Sequence, residues 1–255
     1  MTQTLAGAHA FITGGGKGIG AAAAWALAAL GARITVTGRD VAAIEETAAS
    51  LPAARALQLD VTDEAGIKRV HAAAVEAFGP VQILVNNSGI AETAPVLKIT
   101  PAMVRRLMDV NLIGALLCAQ AVLPAMVAAR QGRIINIASL ASVHGPAYLG
   151  AYAASKHALL GLTRAMANET AKQGITVNAV CPGYVRTGMV ERGLENIMAK
   201  TGKSRAEAEA ELVKHNPQGR LIEPDEVGAT VAWLAQLEAR SVTGQAIVIS
   251  GGEVM

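Results

Sequence analysis

A tyrosine and a lysine stand four positions apart in the segment GAYAASKHALL, as Tyr152 and Lys156. Residues four apart on a helix share a face, so the lysine ammonium can lie near the tyrosine hydroxyl. A free tyrosine has a pKa of about 10 and is a weak proton donor at neutral pH. A nearby positive charge favours the phenolate, so we expect Lys156 to lower the pKa of Tyr152 toward the working pH. The alternative is an ordinary helical pair with a snorkelling lysine.

A serine precedes this pair by 13 residues, at the end of the apolar run RIINIAS. The hydroxyl of Ser139 is suited to donate a hydrogen bond to a substrate carbonyl or alkoxide oxygen. Its alternative role is to cap the end of a strand. Together the three side chains indicate proton transfer at a carbonyl group.

A glycine-rich segment, TGGGKGIG at 13–20, follows the first apolar run and opens an alanine-rich helical run. Glycines at this spacing allow a tight turn and a close approach of the backbone to a pyrophosphate. The helix that follows presents free N–H groups and a positive dipole end to the phosphates. The segment predicts a dinucleotide site, with a merely flexible turn as the alternative.

The choice of dinucleotide depends on the end of the second strand. Gly38 stands where an NAD-binding unit usually carries an acidic residue for the ribose, and Arg39 follows it. Arginine matches a 2′-phosphate in charge and in its fork of donors, and Lys17 adds a second positive charge. NADP(H) is therefore favoured. NAD(H) stays open because Asp40 can turn back toward a ribose, although it also resembles a helix cap.

Short apolar runs that alternate with alanine-rich helical runs must position these residues. The candidate strands are 9–13, 33–37, 55–59, 82–86, 133–138, 175–180 and 246–250. This alternation predicts right-handed βαβ units and one parallel sheet covered on both faces, in a single α/β domain over 1–255. The charged segment 188–216 contains no strand and is interpreted as a helical substrate lid.

The composition excludes several classes of protein. The net charge is only +2 and the charges are interspersed, so neither a nucleic-acid partner nor a membrane surface is indicated. The N-terminus lacks the pattern of a signal peptide, and Cys118 and Cys181 lie in apolar surroundings, which is typical of reduced thiols in the cytoplasm. The five histidines form no ligand cluster, so no metal site is predicted.

One uncharged stretch, 112–129, is long enough to raise the question of a membrane span. Gln120 and Pro124 lie inside it, and three charged residues lie just before it on the same helical run. We therefore expect a buried helix of a soluble protein.

Several motifs in this order resemble the short-chain dehydrogenase/reductase family over essentially the whole chain. They are TGGGKGIG (13–20), LDVTD (59–63), NNSG (86–89), Asn111, Ser139, Tyr152 with Lys156, and PGYVRT (182–187). The resemblance implies a doubly wound Rossmann-type domain with a parallel sheet of about seven strands. It also implies hydride transfer between nicotinamide C4 and a carbonyl carbon, with Tyr152 passing the proton. Lys156 would also bind the nicotinamide ribose, and Asn111 would hold a water that extends the proton relay.

The same resemblance implies which residues contact the cofactor. They are Gly14, Lys17, Gly18, Ile19, Gly20, Arg39, Asp60, Val61, Asn87, Ser88, Gly89, Tyr152, Lys156, Pro182, Gly183, Val185 and Thr187. Asp60 and Val61 would lie on the adenine side, and the PGYVRT residues would hold the carboxamide and phosphates. Ser88 departs from the alanine that is more frequent in the family.

The substrate pocket that the resemblance implies is mostly apolar, with one titratable group. Its residues are Leu140, His144, Tyr148, Leu149, Tyr184 and Met189. The leading substrate is a 3-oxoacyl thioester of CoA or acyl carrier protein. The alternatives are an NAD-dependent dehydrogenase of a cyclic, aryl or hydroxy-acid secondary alcohol, and a dinucleotide-binding regulator. A homotetramer is expected, with the outer faces of helices 101–129 and 152–172 at the interfaces.

Overall fold

A seven-stranded parallel sheet forms the centre of the computed structural model, which describes residues 4–254. The strands are β1 (His9–Thr13), β2 (Arg33–Gly38), β3 (Ala54–Gln58), β4 (Ile83–Asn86), β5 (Gly132–Ile137), β6 (Ile175–Pro182) and β7 (Ala246–Ile249). Their order in the sheet is β3-β2-β1-β4-β5-β6-β7, and every neighbouring pair is parallel. The strand order reverses between β1 and β4, which is where doubly wound sheets bind their ligands. The predicted fold class is confirmed.

Nine α-helices cover the two faces of the sheet within residues 4–254. They are α1 (Gly18–Ala29), α2 (Val41–Ala49), α3 (Glu64–Phe78), α4 (Pro101–Met108), α5 (Gly114–Ala129), α6 (Gly150–Thr170), α7 (Gly188–Thr201), α8 (Arg205–Val213) and α9 (Pro224–Ala235). Two predicted caps are present: Asp40 accepts from Ala43 N at the start of α2, and Thr100 accepts from Met103 N at the start of α4. Both satisfy amides that the first helical turn leaves free.

Alternate residues of each strand enter different cores. Ile12 and Ile34 pack with α1 and α9 on one face, whereas Phe11, Leu84 and Ile134 pack with α3 and α5 on the other. Strands buried on both faces need apolar residues at every position, so they appear in the sequence as continuous apolar runs. That requirement explains why the strand bounds were predictable to within about two residues.

The first and the last long helices of the chain pack against each other. A Cβ at Gly228 of α9 would lie 2.7 Å from the carbonyl oxygen of Ala22 in α1, so the two backbones touch. Side chains of α9, including Val227 and Val231, complete the core that α1 begins. The face of the sheet that carries the glycine loop is therefore closed by residues about 200 positions downstream.

Helices α4 and α5 form one continuous helix, joined by a π-helical turn at Asp109–Ile113. This helix, Pro101–Ala129, has the length and apolar character of a membrane span, and 33% of its most apolar window is buried. It is thus less buried than the sequence suggested, because only the face toward the sheet is covered. A π-helical turn inserts one extra residue and often marks a functional site. Here the turn contains Asn111.

The charged segment 188–216 is helical, as predicted, and consists mainly of α7 and α8. Leu194, Ala208 and Val213 are buried, so the two helices pack on the rest of the chain. Ser204 and Glu207 form a reciprocal capping box at the start of α8. A movement of this segment as a lid stays a prediction.

Candidate active site

The glycine loop between β1 and α1 has room for a ligand but none for larger side chains. A Cβ at Gly18 would lie 2.9 Å from Thr187 Cγ2, and one at Gly20 would lie 2.5 Å from Asn87 Nδ2. Gly18 also has a φ of 53°, which glycine adopts without strain. No side chain caps the start of α1, where Lys17 is the N-cap residue. Its first amides are therefore available to a phosphate group, which fits a dinucleotide.

The NNSG segment is tied to this loop by hydrogen bonds that the sequence did not reveal. Asn87 Nδ2 donates to the carbonyl oxygens of Thr13 and Gly14, at 3.0 and 2.8 Å. The amides of Asn87 and Ser88 both donate to Thr13 Oγ1, each at 3.0 Å. The Asn87 side chain thus supports the glycine loop, and a direct contact of Asn87 with the cofactor stays a prediction. Thr13, the first residue of the motif, sets the spacing between β1 and β4.

At the end of β2 the structure resolves the two interpretations of Asp40. Asp40 Oδ1 accepts from Ala43 N, and Oδ2 lies 2.8 Å from Lys17 Nζ. The carboxylate is therefore engaged as a helix cap and ion-pair partner, which leaves it poorly placed to bind a ribose. The same pair neutralises much of the Lys17 charge, so Lys17 contributes less to a phosphate pocket than the sequence suggested. Arg39 supplies the remaining positive charge.

A cavity of about 400 Å³ lies beside Arg39 at the adenine side of the predicted site. It is lined by Arg39, Gln58, Leu59, Asp60, Asp63, Gly66, Arg69 and Val70. A hydrogen bond from Thr62 N lowers the pKa of Asp60, so this carboxylate is ionised at neutral pH. The Val61 side chain packs into the core, where it would block a Cβ at Gly114, and the expected contact of Val61 with the cofactor stays a prediction. Only the Val61 backbone remains available to the cofactor.

Lys156 is buried beneath Tyr152 at the carboxyl end of β5. Its Nζ donates to the carbonyl oxygen of Ile137 at 2.8 Å and lies 5.9 Å from the centroid of the Tyr152 ring. The side chain is 4% exposed, and burial lowers the pKa of Lys156 to about 8. A Cβ at Gly89 would lie 3.5 Å from Nζ, which is an ordinary van der Waals contact.

The expected fall in the pKa of Tyr152 does not occur in the protein alone. Burial raises the pKa of Tyr152, and the Ser139 hydroxyl acts in the opposite direction as the smaller effect. Lys156 does not reverse this balance, because its ammonium is directed to Ile137 and its own charge is disfavoured by burial. The chain by itself therefore holds Tyr152 protonated, ready to donate a proton.

Ser139 acts as a cap, and its hydrogen bond to a substrate oxygen stays a prediction. Its Oγ accepts from Ala141 N at 3.1 Å and its N–H donates to Ser142 Oγ at 3.2 Å, which forms a capping box at the short turn Leu140–Ser142. The capping box fixes the position of the Ser139 hydroxyl near Tyr152. Ser142 was missed by the sequence analysis, although two serines three apart after a strand are a recognisable cap signal.

The side chain of Asn111 is engaged by hydrogen bonds within the protein. Oδ1 accepts from Ile90 N at 2.9 Å, and Nδ2 donates to Ile90 O at 2.9 Å and to Ser155 Oγ at 3.0 Å. Ser155 Oγ in turn donates to Tyr152 O at 2.7 Å. The Asn111 side chain is therefore a positioning group, and the water expected at Asn111 stays a prediction. Ser155, which links Asn111 to Tyr152, was missed, since no pattern in the sequence brings residues 111 and 155 together.

The predicted substrate residues differ in how much surface they offer. His144 and Met189 are exposed, Leu149 and Tyr184 are partly buried, and Leu140 is only 5% exposed. The Leu140 side chain packs inward, so this prediction is not supported as a major substrate contact. The Tyr184 hydroxyl adds a smaller electrostatic contribution to the rise in the pKa of Tyr152.

The PGYVRT segment connects strand β6 to helix α7. Gly183 N donates to Ile249 O at 2.9 Å, and Val185 forms a bridge with Ile222. Pro182 ends β6, and Thr187, the N-cap residue of α7, faces Gly18.

Arg186, in the same segment, forms ion pairs with Glu209 of α8 at 3.2 Å and with Glu223 at 2.9 Å. Through Arg186, these ion pairs connect α8 to the start of α9. A cavity of about 380 Å³ opens between Gly18, Thr187 and α7. Across residues 4–254 no group of three or more His, Cys, Asp or Glu could hold a metal ion.

Taken together, these residues fit a dinucleotide. The free amides of α1, Thr187 and Gly18 would hold its phosphates, Arg39 and Asp60 its adenosine end, and Lys156 its other ribose. Ile19 is the exception, because its side chain packs on the core. The catalytic groups lie at the carboxyl ends of β4 and β5, beside the switch point of the sheet.

Comparisons with known proteins agree with this site. A family model described as enoyl-(acyl carrier protein) reductase matches residues 14–253. The protein named ketoacyl reductase 1 of the granaticin polyketide synthase from Streptomyces violaceoruber is 40% identical, over 98% of this chain and 94% of its own. Galactitol 2-dehydrogenase from Agrobacterium fabrum is 38% identical, over 96% and 97% of the two chains.

A solved structure, a single-substitution variant of actinorhodin polyketide ketoreductase with NADPH, superposes with a TM-score of 0.92 at 34% identity, over 99% of both chains. The matches cover nearly the whole chain, and the family model includes every segment that forms the site. The chain belongs to the short-chain dehydrogenase/reductase family.

Proposed function

We propose that this oxidoreductase interconverts a ketone and a secondary alcohol with NADP(H) as its preferred cofactor, and that its substrate is a 3-oxoacyl thioester. The observation that carries the proposal is the arrangement of Ser139, Tyr152 and Lys156 at the carboxyl end of β5. The substrate class is suggested by the relative named as a ketoacyl reductase and by the ketoreductase structure.

In the mechanism that follows, the bound nicotinamide dinucleotide supplies the hydride. Tyr152 donates its proton to the carbonyl oxygen, which is favoured because burial keeps the hydroxyl protonated. Ser139 donates a hydrogen bond to the same oxygen and stabilises the charge that develops on it. Lys156 holds a positive charge below the phenolate that Tyr152 becomes. The same lysine would bind the nicotinamide ribose of the cofactor.

Replacement of Tyr152 by Phe tests the role of the proton donor. The variant should bind NADPH like the unaltered enzyme but lose about 10²- to 10⁴-fold in turnover. Turnover is followed by nicotinamide absorbance with a panel of 3-oxoacyl thioesters and simple ketones, and binding by nicotinamide fluorescence. Substantial retained turnover in the Phe variant would refute the assignment.

The cofactor preference is carried by Arg39, which lines the adenine-side cavity and forms no ion pair within residues 4–254. Arg39→Ala should weaken NADPH binding at least about tenfold and leave NADH binding little changed, because only NADPH carries the 2′-phosphate. Arg55→Ala, on the exposed edge strand β3, is the matched control. Tighter binding of NADH than of NADPH by the unaltered enzyme would instead favour the NAD-dependent alternative.

The relative named galactitol 2-dehydrogenase supports that alternative only in its general form, a dehydrogenase of a secondary alcohol, because galactitol is an open-chain polyol and not a cyclic, aryl or hydroxy-acid alcohol. Oxidation of such alcohols with NAD, faster than reduction of any thioester, is the result that would establish it. A dinucleotide-binding regulator is disfavoured, because Tyr152 and Lys156 both remain in the site.

We further propose a cytoplasmic homotetramer with 188–216 as the substrate lid. Ile113 and Val127 are 43% and 41% exposed on the outer side of the helix 101–129, which is the expectation for a subunit interface. Light scattering coupled to size exclusion measures the assembly. A monomer would contradict it.

A further inference from the structure

We infer that Tyr148 is a specificity-determining residue, which stacks on a planar, conjugated ring in the part of the substrate beyond the reacting carbonyl. The inference rests on the proposed function and deepens it, because it names the kind of acyl group that the site accepts. Four observations carry it: the positive φ of Tyr148, its backbone hydrogen bond to Ala94, the exposure of its side chain, and the positions of the three tyrosines.

The backbone of Tyr148 lies in the left-handed region, with a φ of 67°. Among the described residues that are not glycine, only Arg130 shares this property, with a φ of 52°. A bulky aromatic residue is strained there, and such strain concentrates where function requires a particular geometry. A glycine at 148 would form the same turn without strain, so the turn alone does not explain the tyrosine.

One backbone hydrogen bond attaches this residue to the loop that contains Ala94, and a second one closes the turn around it. Ala94 N donates to the carbonyl oxygen of Tyr148 at 2.9 Å, and Leu149 N donates to Pro146 O at 3.3 Å. Ala94 packs in the same apolar cluster as Tyr152 and Ala151. Tyr148 is therefore attached to a loop that contacts the proton donor, one turn before it on the chain.

The ring of Tyr148 is not held by packing against the protein, since the residue is 67% exposed. An exposed aromatic ring adds little to the stability of the fold, whereas its backbone geometry costs stability. Tyr148 therefore lowers the stability of the fold unless its ring contacts a group that the folded chain does not supply. At the rim of a carbonyl site, that group is the substrate.

The distribution of tyrosines supports an aromatic partner. Only 3% of the residues are aromatic, and the chain has three tyrosines, Tyr148, Tyr152 and Tyr184. Tyr184 follows β6, which pairs with β5, and Tyr148 lies one helical turn before Tyr152 on the chain. All three tyrosines thus lie at the carboxyl edge of the sheet, and the chain has only four other aromatic residues. Aromatic side chains in this region suit a flat, conjugated group, which gains from ring–ring contact.

A pair of ketones that differ in flatness tests the inference. Ethyl 3-oxo-3-phenylpropanoate carries a planar ring conjugated to the carbonyl, and ethyl 3-cyclohexyl-3-oxopropanoate carries a puckered ring of the same carbon number. We expect the unaltered enzyme to favour the phenyl compound in kcat/KM. Tyr148→Ala and Tyr148→Gly should lower this preference about 3- to 10-fold, mainly through KM, and Tyr148→Phe should keep it.

Stability separates a substrate contact from a purely structural role. Tyr148→Gly should unfold at a higher temperature than the unaltered enzyme, because glycine relieves the strained φ, even as its preference for the phenyl compound falls. Arg130→Gly is the matched control, since it removes the other strained φ at the far end of α5. It should leave the preference for the phenyl compound unchanged.

An equal preference in the unaltered enzyme and in Tyr148→Ala would overturn the inference. So would an equal loss of kcat/KM for both ring compounds and for a straight-chain 3-oxoacyl thioester, because that result would assign Tyr148 to the part that all three substrates share, the reacting carbonyl and its immediate neighbours. In either case Tyr152→Phe would still abolish turnover, and the proposed function would stand. If the unaltered enzyme reduces none of these ketones, the proposed function and the inference fail together.

Discussion

Replacement of Lys156 by Met should stabilise the protein while it abolishes turnover. Lys156 places an ammonium group in the interior, where it has one hydrogen bond, to Ile137 O, and no carboxylate partner among the described residues. Methionine has a similar length and no charge, so the variant fills the same space without burying an ion. The stability of the fold and the chemistry of the site therefore make opposite demands at this position.

The size of the effect follows from the pKa of the lysine. Burial lowers the pKa of Lys156 from 10.5 to about 8. At about 1.4 kcal/mol for each pKa unit, folding with this group charged costs about 3 kcal/mol below pH 8. The variant loses the hydrogen bond to Ile137 O, worth about 1 kcal/mol. The net gain is about 2 kcal/mol, or a rise in Tm of about 4 °C for a chain of this length.

The sign of the pH dependence distinguishes this cause from better packing. The folded pKa is lower than the unfolded one, so the unfolded chain binds the extra proton between pH 8 and 10.5. The cost in the unaltered protein is fully present below pH 8 and disappears as the pH rises toward 10.5. The advantage of the Met variant should thus fall from about 2 kcal/mol at pH 7 to below about 0.5 kcal/mol at pH 9.5.

Urea unfolding of the unaltered protein and of Lys156→Met, at both pH values and without cofactor, measures the difference directly. Lys172→Met is the control, because Lys172 is exposed and the same change of side chain should alter stability by less than about 0.5 kcal/mol. The reasoning is refuted if Lys156→Met is less stable at pH 7, or if its advantage is the same at pH 9.5.

Three further variants test the loops around the site. Gly20→Ala should weaken NADPH binding at least about tenfold in a fluorescence titration, since its Cβ would strike the Gly14 carbonyl. Gly161→Ala, in open space on α6, should instead raise Tm slightly, and a loss of binding there would contradict the reasoning. Asp40→Asn keeps a good helix cap but frees Lys17, so the ratio of NADPH to NADH affinity should rise a few fold; an unchanged ratio counts against a role for Lys17. Ser155→Ala should lower kcat about tenfold and leave the Kd for NADPH unchanged, because it releases Asn111 from Tyr152; an unchanged kcat would rule out this positioning role.

Local patterns were sufficient to predict the sheet, the caps and the type of site. Buried parallel strands need apolar residues on both faces, and the caps at Asp40 and Thr100 depend on residues within three positions. Tyr152 and Lys156 were predicted to share a helix face, and both lie on α6. In each of these cases the deciding interactions are close in sequence.

The features that the sequence did not reveal depend on distant contacts. Asn111 is held by Ile90 and Ser155, and the Val61 side chain packs beside Gly114, although these partners are distant in sequence. The pKa of Tyr152 depends on how much water the fold removes around it, which spacing along a helix does not reveal. Geometry and burial of the site could therefore be determined only from the folded structure.

The contact between α1 and α9 has a consequence for synthesis of the chain. Helix α1 leaves the ribosome well before the helix that touches it through Gly228, which follows roughly 200 residues later. At 5 to 20 residues per second, this interval is about 10 to 40 seconds. During that time the alanine-rich face of α1 is exposed on the nascent chain and open to chaperones. The cofactor loop therefore becomes competent only after α9 has been translated.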